Sequence, residues 1–428
     1  MNNLNTVAFY TLGCKLNFAE TSTISRNLEK EGLKKVGFDS KADLYIINTC
    51  SVTENANKEC SRIIKKAKKN SPNSFVIITG CYAQLKPKII SEIPDVDLVI
   101  GANEKFNISK IISQKNTTKI HGCEINNLKY NSSFSLNDRT RSFLKVQDGC
   151  DFPCTYCTIP LARGKSRSDT IKNIIKKVYS IAKNDIKEIV LTGVNIGDFK
   201  DPETNEDFYD LICKLDKIKQ ISRFRISSIE PNLISDKIIE FVKNSKRFVP
   251  HFHIPLQSGS NDILKSMKRR YNAKLYQEKI IKINKKIPDV CIGADVIVGF
   301  PGESNKHFED TLNFIKNLPI NYLHVFPYSE RENTIAFSMK NQVQIQERKE
   351  RSKKLRILSN KLNRIFYSKY LGSTQKVLFE ESKSGNLVGF TKNYIKVEVP
   401  FNKGIKNQEV DVKLLSINEQ QRVISKIL

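Results

Sequence analysis

The sequence predicts an α/β protein in three parts: an N-terminal parallel α/β domain over residues 1–125, a central partial barrel of six βα units over 136–367, and a small C-terminal β-barrel over 368–428. Three observations predict it. Short, continuous apolar runs alternate with helix-like segments in the first part. Six more strand candidates alternate with helix-length segments in the second. A period of two, the mark of a half-buried strand, appears in the third.

In the first part the runs are Val7–Tyr10, Leu44–Ile47 and Phe75–Ile78. Uninterrupted β-branched and aromatic residues between polar or glycine boundaries predict strands buried on both faces, as in a parallel sheet. Glu20–Glu31 and Ala56–Lys69 read as the intervening helices, and that alternation defines an α/β domain. Each run leads into a cysteine: Leu12-Gly13-Cys14, Asn48-Thr49-Cys50 and Thr79-Gly80-Cys81. The carboxyl edge of an open α/β sheet is where ligands bind. Three thiols separated by 36 and 31 residues are therefore expected to meet there, at one metal or cluster site.

A polar connection, Asn116 to Asp138, leads into Phe143–Gln147, Glu188–Thr192, Arg223–Ser227, His251–Leu256, Ala294–Val298 and Tyr322–Phe326. Segments such as Ile171–Lys183 and Phe308–Leu318 separate these strands as helices. Six consecutive βα units predict a barrel or partial barrel whose site lies at the carboxyl ends of the strands. Cys150, Cys154 and Cys157 fall in the loop after the first of them. A charged helix, Gln346 to Tyr367, carries Leu355, Leu358, Leu362 and Ile365 at helical spacing as a core stripe. Beyond it, Ile395, Val397 and Val399 alternate with Tyr394, Lys396 and Glu398. Val377–Glu381 precedes them across a glycine-containing turn near Ser384–Asn386.

A chain of 428 residues exceeds one hydrophobic core. It contains no apolar window long enough to span a bilayer and no basic leader, so a cytoplasmic protein is expected. In such a compartment ten cysteines are not a disulfide framework, and clustered ones bind metal or do chemistry. Cys60, Cys123, Cys213 and Cys291 lie outside any pattern and read as small buried hydrophobes. The formal charge of +26 favours a polyanionic partner, nucleic acid first. The basic runs are scattered, at Lys65–Lys69, Lys268–Arg270 and Arg348–Arg356, and each alone reads as a solvated helix face.

The stretch GCDFPCTYC poses a ligand problem, because metal and cluster sites normally take four ligands. Zinc would need His121, or His251 and His253 from a later strand, and C-x3-C-x2-C is not a usual zinc spacing. The other solution is a fourth ligand that is not protein. C-x3-C-x2-C after the first strand of a βα barrel resembles the radical S-adenosylmethionine superfamily. That resemblance implies a 4Fe-4S cluster whose open iron is chelated by the methionine part of the cofactor.

TLGCKLN, IINTCSVT and ITGCYAQ, followed by GCDFPCTYCTIPLARGKSRS and a terminal β module, resemble the methylthiotransferases of that superfamily over nearly the whole chain. The module's segments VLFEES, GFTKNYIKV and EVDVKL resemble a TRAM domain. LTGVNIGDF, RISSIEPNL, HFHIPLQSGSNDILKSMKRRY and LHVFPYS are most similar to the subgroup acting on N6-threonylcarbamoyladenosine at position 37 of tRNA. SERENTIA departs from the proline- and glycine-containing turn usual after FPYS. Sister subgroups act on isopentenyladenosine in tRNA and on an aspartate of a ribosomal protein. The non-enzymatic alternative is an RNA-binding protein holding structural metal.

The resemblance implies two 4Fe-4S clusters, an auxiliary one on Cys14, Cys50 and Cys81 and a reducing one on Cys150, Cys154 and Cys157. Electron transfer to S-adenosylmethionine would yield a 5′-deoxyadenosyl radical that takes hydrogen from C2 of the adenine. A second S-adenosylmethionine would methylate a sulfur on the auxiliary cluster before transfer. Cofactor contacts are expected from Thr192 and Gly193, Ser228 and Glu230, Gln257 and Ser258, and Phe326, all at strand ends, with Tyr328 beside them. No acidic residue stands at Thr192–Asn195. Val298–Gly302 reads as either a turn or a cofactor loop, and His251 and His253 as packing or hydrogen-bonded residues. The terminal barrel and basic runs would bind the anticodon region of tRNA; Tyr394 and Tyr367 could stack on bases, but a core or surface role is the first reading of each. An electron donor such as flavodoxin or ferredoxin is implied, and no membrane.

Overall fold

A computed structural model describes residues 4–51, 54–113, 118–125, 128–136, 139–380 and 385–428, without the side chains of 54–58. The N-terminal region is a parallel sheet of β1 (Thr6–Thr11), β2 (Lys34–Val36), β3 (Leu44–Thr49), β4 (Phe75–Gly80), β5 (Leu98–Ile100) and β6 (Ile120–His121), in the order β2-β1-β3-β4-β5-β6. Helices α1 (Lys15–Lys30), α2 (Glu54–Asn70), α3 (Cys81–Leu85), α4 (Pro87–Ser91) and α5 (Ile108–Ser113) cover it. Every residue of β3 is buried, as its unbroken apolar run requires. The three expected strands are β1, β3 and β4. The strands β2, β5 and β6 are only two or three residues long, too short for a period to be read from sequence. Positions 116–117, 126–127 and 137–138 of the expected polar connection lie outside the described residues.

The central region runs β7 (Arg141–Lys145), β8 (Gln147–Asp148), α6 (Ile159–Arg163), β9 (Arg167–Ser168), α7 (Ile171–Ala182), β10 (Glu188–Thr192), α8 (Phe208–Leu215), β11 (Arg223–Ile226), α9 (Asp236–Asn244) and β12 (His251–His253). It continues through α10 (Asn261–Ser266), α11 (Ala273–Lys286), β13 (Cys291–Val298), α12 (Asn305–Lys316), β14 (Tyr322–Pro327) and α13 (Ile345–Ser368). All ladders among β7, β10, β11 and among β12, β13, β14 are parallel. Single bridges at Phe224–Phe248 and Ser228–His253 join the two halves. Helix α1 of the N-terminal region packs across β7.

The last region is a closed barrel, β15 (Thr374–Glu380), β16 (Asn386–Thr391), β17 (Lys396–Pro400), β19 (Val423–Ile427) and β18 (Glu409–Ile417) in that spatial order. Ile395, Val397 and Val399 fill its core as their alternation requires. The turn expected near Ser384–Asn386 begins outside the described residues, as does Glu381. A further strand, β16, stands between that turn and the alternating segment. This barrel docks on the amino ends of the central strands. Arg223 of β11 donates to Glu409 (2.5 Å) and to the carbonyls of Phe390 and Lys376, and Arg141 of β7 donates to Glu380 (2.6 Å).

In α13, Leu355 and Leu358 are buried, but Ile365 is 51% exposed, which corrects the expected four-residue stripe. By its last turns the helix has passed the edge of the core, and Phe366 and Tyr367 face the terminal barrel instead.

Candidate cluster sites

Three strand ends deliver Cys14, Cys50 and Cys81, and polar side chains lock those ends together. Asn17 donates to the carbonyls of Leu12 (2.8 Å) and Thr49 (3.0 Å), while Thr49 donates to the Thr79 carbonyl (2.6 Å). Gly13 has φ +95°, and a Cβ there would lie 2.7 Å from the Cys50 sulfur, so the β1 and β3 turns touch at this point. Cys14 occupies the N-cap of α1. Burial pushes the Cys81 thiol up.

The second triad occupies one loop. Gly149 has φ +71°, and any Cβ would collide with the Lys165 carbonyl, which lets the loop close tightly on the β8–β9 pair. Gln147 fixes the loop to its neighbour: its amide donates to the carbonyls of Asp148 and Gly149, and its Oε1 accepts from Val194 and Asn195. Burial pushes the Cys150 thiol up to about 11 and the Cys157 thiol up to about 12. A buried thiol becomes a ligand only when a metal replaces its proton.

Neither triad brings three sulfurs within 4.8 Å of one another. Sulfurs about 2.3 Å from one zinc ion would all lie within about 4.6 Å of each other. Neither triad is gathered as tightly as one zinc ion requires, and an all-thiolate donor set of three suits an iron–sulfur cluster. Among the described residues no histidine or carboxylate joins either set within that range. His121, the nearest candidate in sequence, lies near Thr118 (3.4 Å).

Arginines back both sites. Arg269 donates to the Cys154 sulfur (3.2 Å) and to Glu230 (2.6 Å), and Glu230 also accepts from Arg270 (2.8 Å). The Arg269 side chain is 6% exposed, so the Lys268–Arg270 run is not the solvated face read from sequence. Arg348 and Arg351 of the third run are also buried, paired to Glu330 (2.6 Å) and Glu303 (2.6 Å). At the other site Arg163, the last residue of α6, donates to Asn17 (2.6 Å), Glu20 (3.0 Å) and Asp148 (2.9 Å). Lys105 (2.8 Å) and Lys145 (3.2 Å) also pair with Glu20. Glu20 is fully buried. Burial opposes its charge, but Arg163, Lys105 and Lys145 outweigh it and hold the carboxyl well below the usual range. This network joins α1, which follows Cys14, to the segment that carries the other triad. Helices α3 and α6, which start at Cys81 and end at Arg163, pack against each other.

A cavity of about 250 Å³ opens beside Cys157, lined among others by Tyr156, Gln257, Asp295, Phe326, Tyr328 and Arg331. Of the expected cofactor contacts, Gln257 and Phe326 line it. Thr192, Gly193 and Glu230 are not among its lining residues; the Glu230 backbone donates to Asn195 Oδ1 (3.3 Å). Ser228 pairs with His253 at the junction of the half-barrels. Ser258 is fully buried, its hydroxyl 3.2 Å from that of Thr311. Gln257 has φ +65° and lies beyond β12, which ends at His253 rather than at the expected Leu256. Val298–Gly302 is a turn with positive φ at Gly299 and Gly302, and Phe300 packs between Tyr156 and Tyr328. Tyr394 rests on His251 (4.4 Å) and Phe390 (4.8 Å), and Tyr367 is buried, so neither is free to stack on a base. Arg163, Arg269, Gln147 and Glu20 escape a reading of the sequence, because partners distant in the chain define their roles.

Two family models match the chain: Uncharacterized protein family UPF0004 over residues 6–101, and the Radical SAM superfamily over 144–315. The threonylcarbamoyladenosine tRNA methylthiotransferase MtaB of Bacillus subtilis is 37% identical over 422 residues, covering 96% of this chain and 94% of its own. The MtaB of Rickettsia prowazekii is 40% identical, with 91% and 90% covered. The chain belongs to the radical SAM methylthiotransferase family. It is an enzyme whose cofactors are 4Fe-4S clusters and S-adenosylmethionine. A tRNA-2-methylthio-N(6)-dimethylallyladenosine synthase of Endomicrobium trichonymphae is 34% identical, covering 95% of this chain and 97% of its own. Among solved structures, the radical S-adenosylmethionine methyltransferase TsrM of Kitasatospora setae shares the fold, with TM-score 0.58 and 12% identity over 78% of this chain and 77% of that one. Among the described residues no helix is long and apolar enough to cross a membrane.

Proposed function

We propose that this enzyme transfers a methylthio group to C2 of N6-threonylcarbamoyladenosine at position 37 of tRNA. The observation that carries this reading is the joining of two open cysteine triads through one buried network, Arg163 touching Asn17 and Glu20 on one side and Asp148 on the other. Cys150, Cys154 and Cys157 would hold the reducing cluster, and Cys14, Cys50 and Cys81 the auxiliary one. When bound, the clusters and S-adenosylmethionine supply the electron, the radical and the sulfur.

The protein's own residues place these groups. Arg269 offers an N–H and a positive charge to the Cys154 sulfur, the kind of contact that tunes a cluster's potential. Gln147 holds the loops after β7 and β10 in register. Phe326, Tyr156 and Tyr328 give the cavity beside Cys157 apolar walls that keep water and competing hydrogen donors from a radical. Gln257, Thr192, Gly193 and Glu230 supply polar contacts to the cofactor. The anticodon arm of tRNA would approach this face, in the cytoplasm, with a flavodoxin or ferredoxin delivering electrons.

Mass spectrometry of tRNA nucleosides from cells with and without the gene tests the reading. The methylthio form of threonylcarbamoyladenosine should vanish without the gene while its parent accumulates. Loss of methylthio-isopentenyladenosine instead would keep the chemistry and change the substrate. An unchanged nucleoside profile would sink the tRNA reading.

A further inference from the structure

Three side chains in the barrel have no task in the chemistry proposed for the clusters. Asp295 of β13 is paired in register with His324 of β14, and His253 of β12 is paired with Gly293, two residues before Asp295 on β13. Asp295 Oδ1 accepts from His253 Nε2 at 2.8 Å and from His324 Nδ1 at 3.2 Å. The two imidazoles lie 5.0 Å apart between ring centres. Asp295 lines the cavity beside Cys157, and so does Phe326, two residues beyond His324 and hence on the same face of β14. The His324 side chain is 54% exposed. With Nδ1 committed to Asp295, its Nε2 is the atom left to meet a ligand.

The charge at this place suits an anion. The one carboxylate is shared between two imidazoles, which, with other contacts, keep it well below its usual range despite burial. The guanidinium of Arg331 lines the same cavity, and Lys15, the first residue of α1, lies within electrostatic reach of Asp295. His251, deeper in the barrel, is not part of the set: its Nε2 lies 2.9 Å from the Tyr322 hydroxyl and its ring packs against Tyr394.

A threonylcarbamoyl group differs from an isopentenyl group in carrying a carboxylate, a hydroxyl and a urea. We infer that His324, oriented by Asp295 and backed by His253, binds the carboxylate of the N6 substituent and selects threonylcarbamoyladenosine over apolar N6 groups. This inference rests on the proposed substrate. An isopentenyl chain offers His324 Nε2 neither charge nor acceptor and so forfeits the contact that a carboxylate would make.

The test uses the cluster-loaded enzyme and three anticodon stem-loops, carrying threonylcarbamoyladenosine, its carboxyl methyl ester, or plain adenosine at position 37. Binding is read by fluorescence anisotropy and turnover as kcat and KM. The wild type is expected to prefer the free acid about 10- to 100-fold, and to lose most of that preference on the ester. His324→Leu should bind acid and ester alike, its loss appearing in KM more than in kcat, and His324→Gln should recover part of the preference. Because the readout is a ratio between ligands, a partly unfolded variant does not mimic the result. An acid-to-ester ratio unchanged in His324→Leu, with the wild type active on threonylcarbamoyladenosine, overturns this inference and leaves the substrate reading intact. A wild type with no preference and no turnover overturns both. One zinc equivalent bound by wild type and lost in His324→Leu also overturns it, the three groups then being a metal site.

Discussion

The two cysteine triads reach neighbouring positions by opposite routes. Cys150, Cys154 and Cys157 are close because they share one loop, closed by Gly149 and held by Gln147. Cys14, Cys50 and Cys81 are close only because three parallel strands end at the same edge. The first site depends on local geometry and the second on the fold of a whole domain. Their electrostatic support differs in the same way. Arg269 touches the loop triad directly through Cys154, whereas Arg163 serves the sheet-edge triad through Asn17, Glu20 and Asp148. Damage to the fold should therefore empty the sheet-edge site first.

The largest effect is expected from replacing Cys150, Cys154 and Cys157 together with alanine. Cofactor cleavage and methylthiolation should both disappear, read by 5′-deoxyadenosine release and nucleoside mass spectrometry, while the fold survives by circular dichroism. Residual cleavage would move the reducing site elsewhere.

Next is Glu20→Ala, which leaves Arg163, Lys105 and Lys145 buried without their shared carboxylate. Breaking a buried ion network of this kind costs about 3–5 kcal/mol. Urea denaturation checks the loss, and iron analysis of the folded fraction should find the sheet-edge site depleted before the loop site. Equal depletion of both would dissolve the contrast between them.

How much of this contrast is legible in the sequence depends on the range of the forces. The strands β1, β3 and β4 announce themselves as unbroken apolar runs, and with them the convergence of Cys14, Cys50 and Cys81. The loop triad is legible from spacing alone. Arg269 is not, because a basic run looks the same in sequence whether it faces solvent or a thiol. The burial of Ser258 is hidden because it lies in the segment beyond β12, and the exposure of Ile365 because periodicity cannot say where a helix leaves its core. The His253–Asp295–His324 group joins three strands that lie 42 and 29 residues apart in the chain, with no local pattern to announce it.

A smaller effect should come from Arg269→Ala. Removing a positive N–H from the Cys154 sulfur lowers the reduction potential of the cluster there, on the order of tens of millivolts, and slows cofactor cleavage without emptying the site. Potentiometric titration monitored by electron paramagnetic resonance checks this, and an unmoved potential would reduce Arg269 to a clamp for Glu230.

The amino ends of the barrel supply the mildest test, because no cysteine triad lies there. Burial opposes the charge of Glu188, but Arg225, Arg141 and Arg223 hold its carboxyl down to about 2. A depressed carboxyl stabilises the fold above its ordinary value of 4.5, and that contribution is lost as pH falls from about 4.5 to about 2. The amount is about 3 kcal/mol at most. Denaturation profiles should steepen in that window for the wild type and flatten for Glu188→Gln, with iron retention at pH 7 the same in both. A profile unchanged by the substitution would contradict the depressed carboxyl of Glu188.

The most direct measurement compares the wild type with a variant in which Cys14, Cys50 and Cys81 are all alanine, both reconstituted with iron and sulfide. With two triads serving two tasks, bound iron should fall by about half, S-adenosylmethionine cleavage should continue, and no methylthio group should reach tRNA. Methylthiolation surviving in that variant would contradict the assignment of two triads to two tasks.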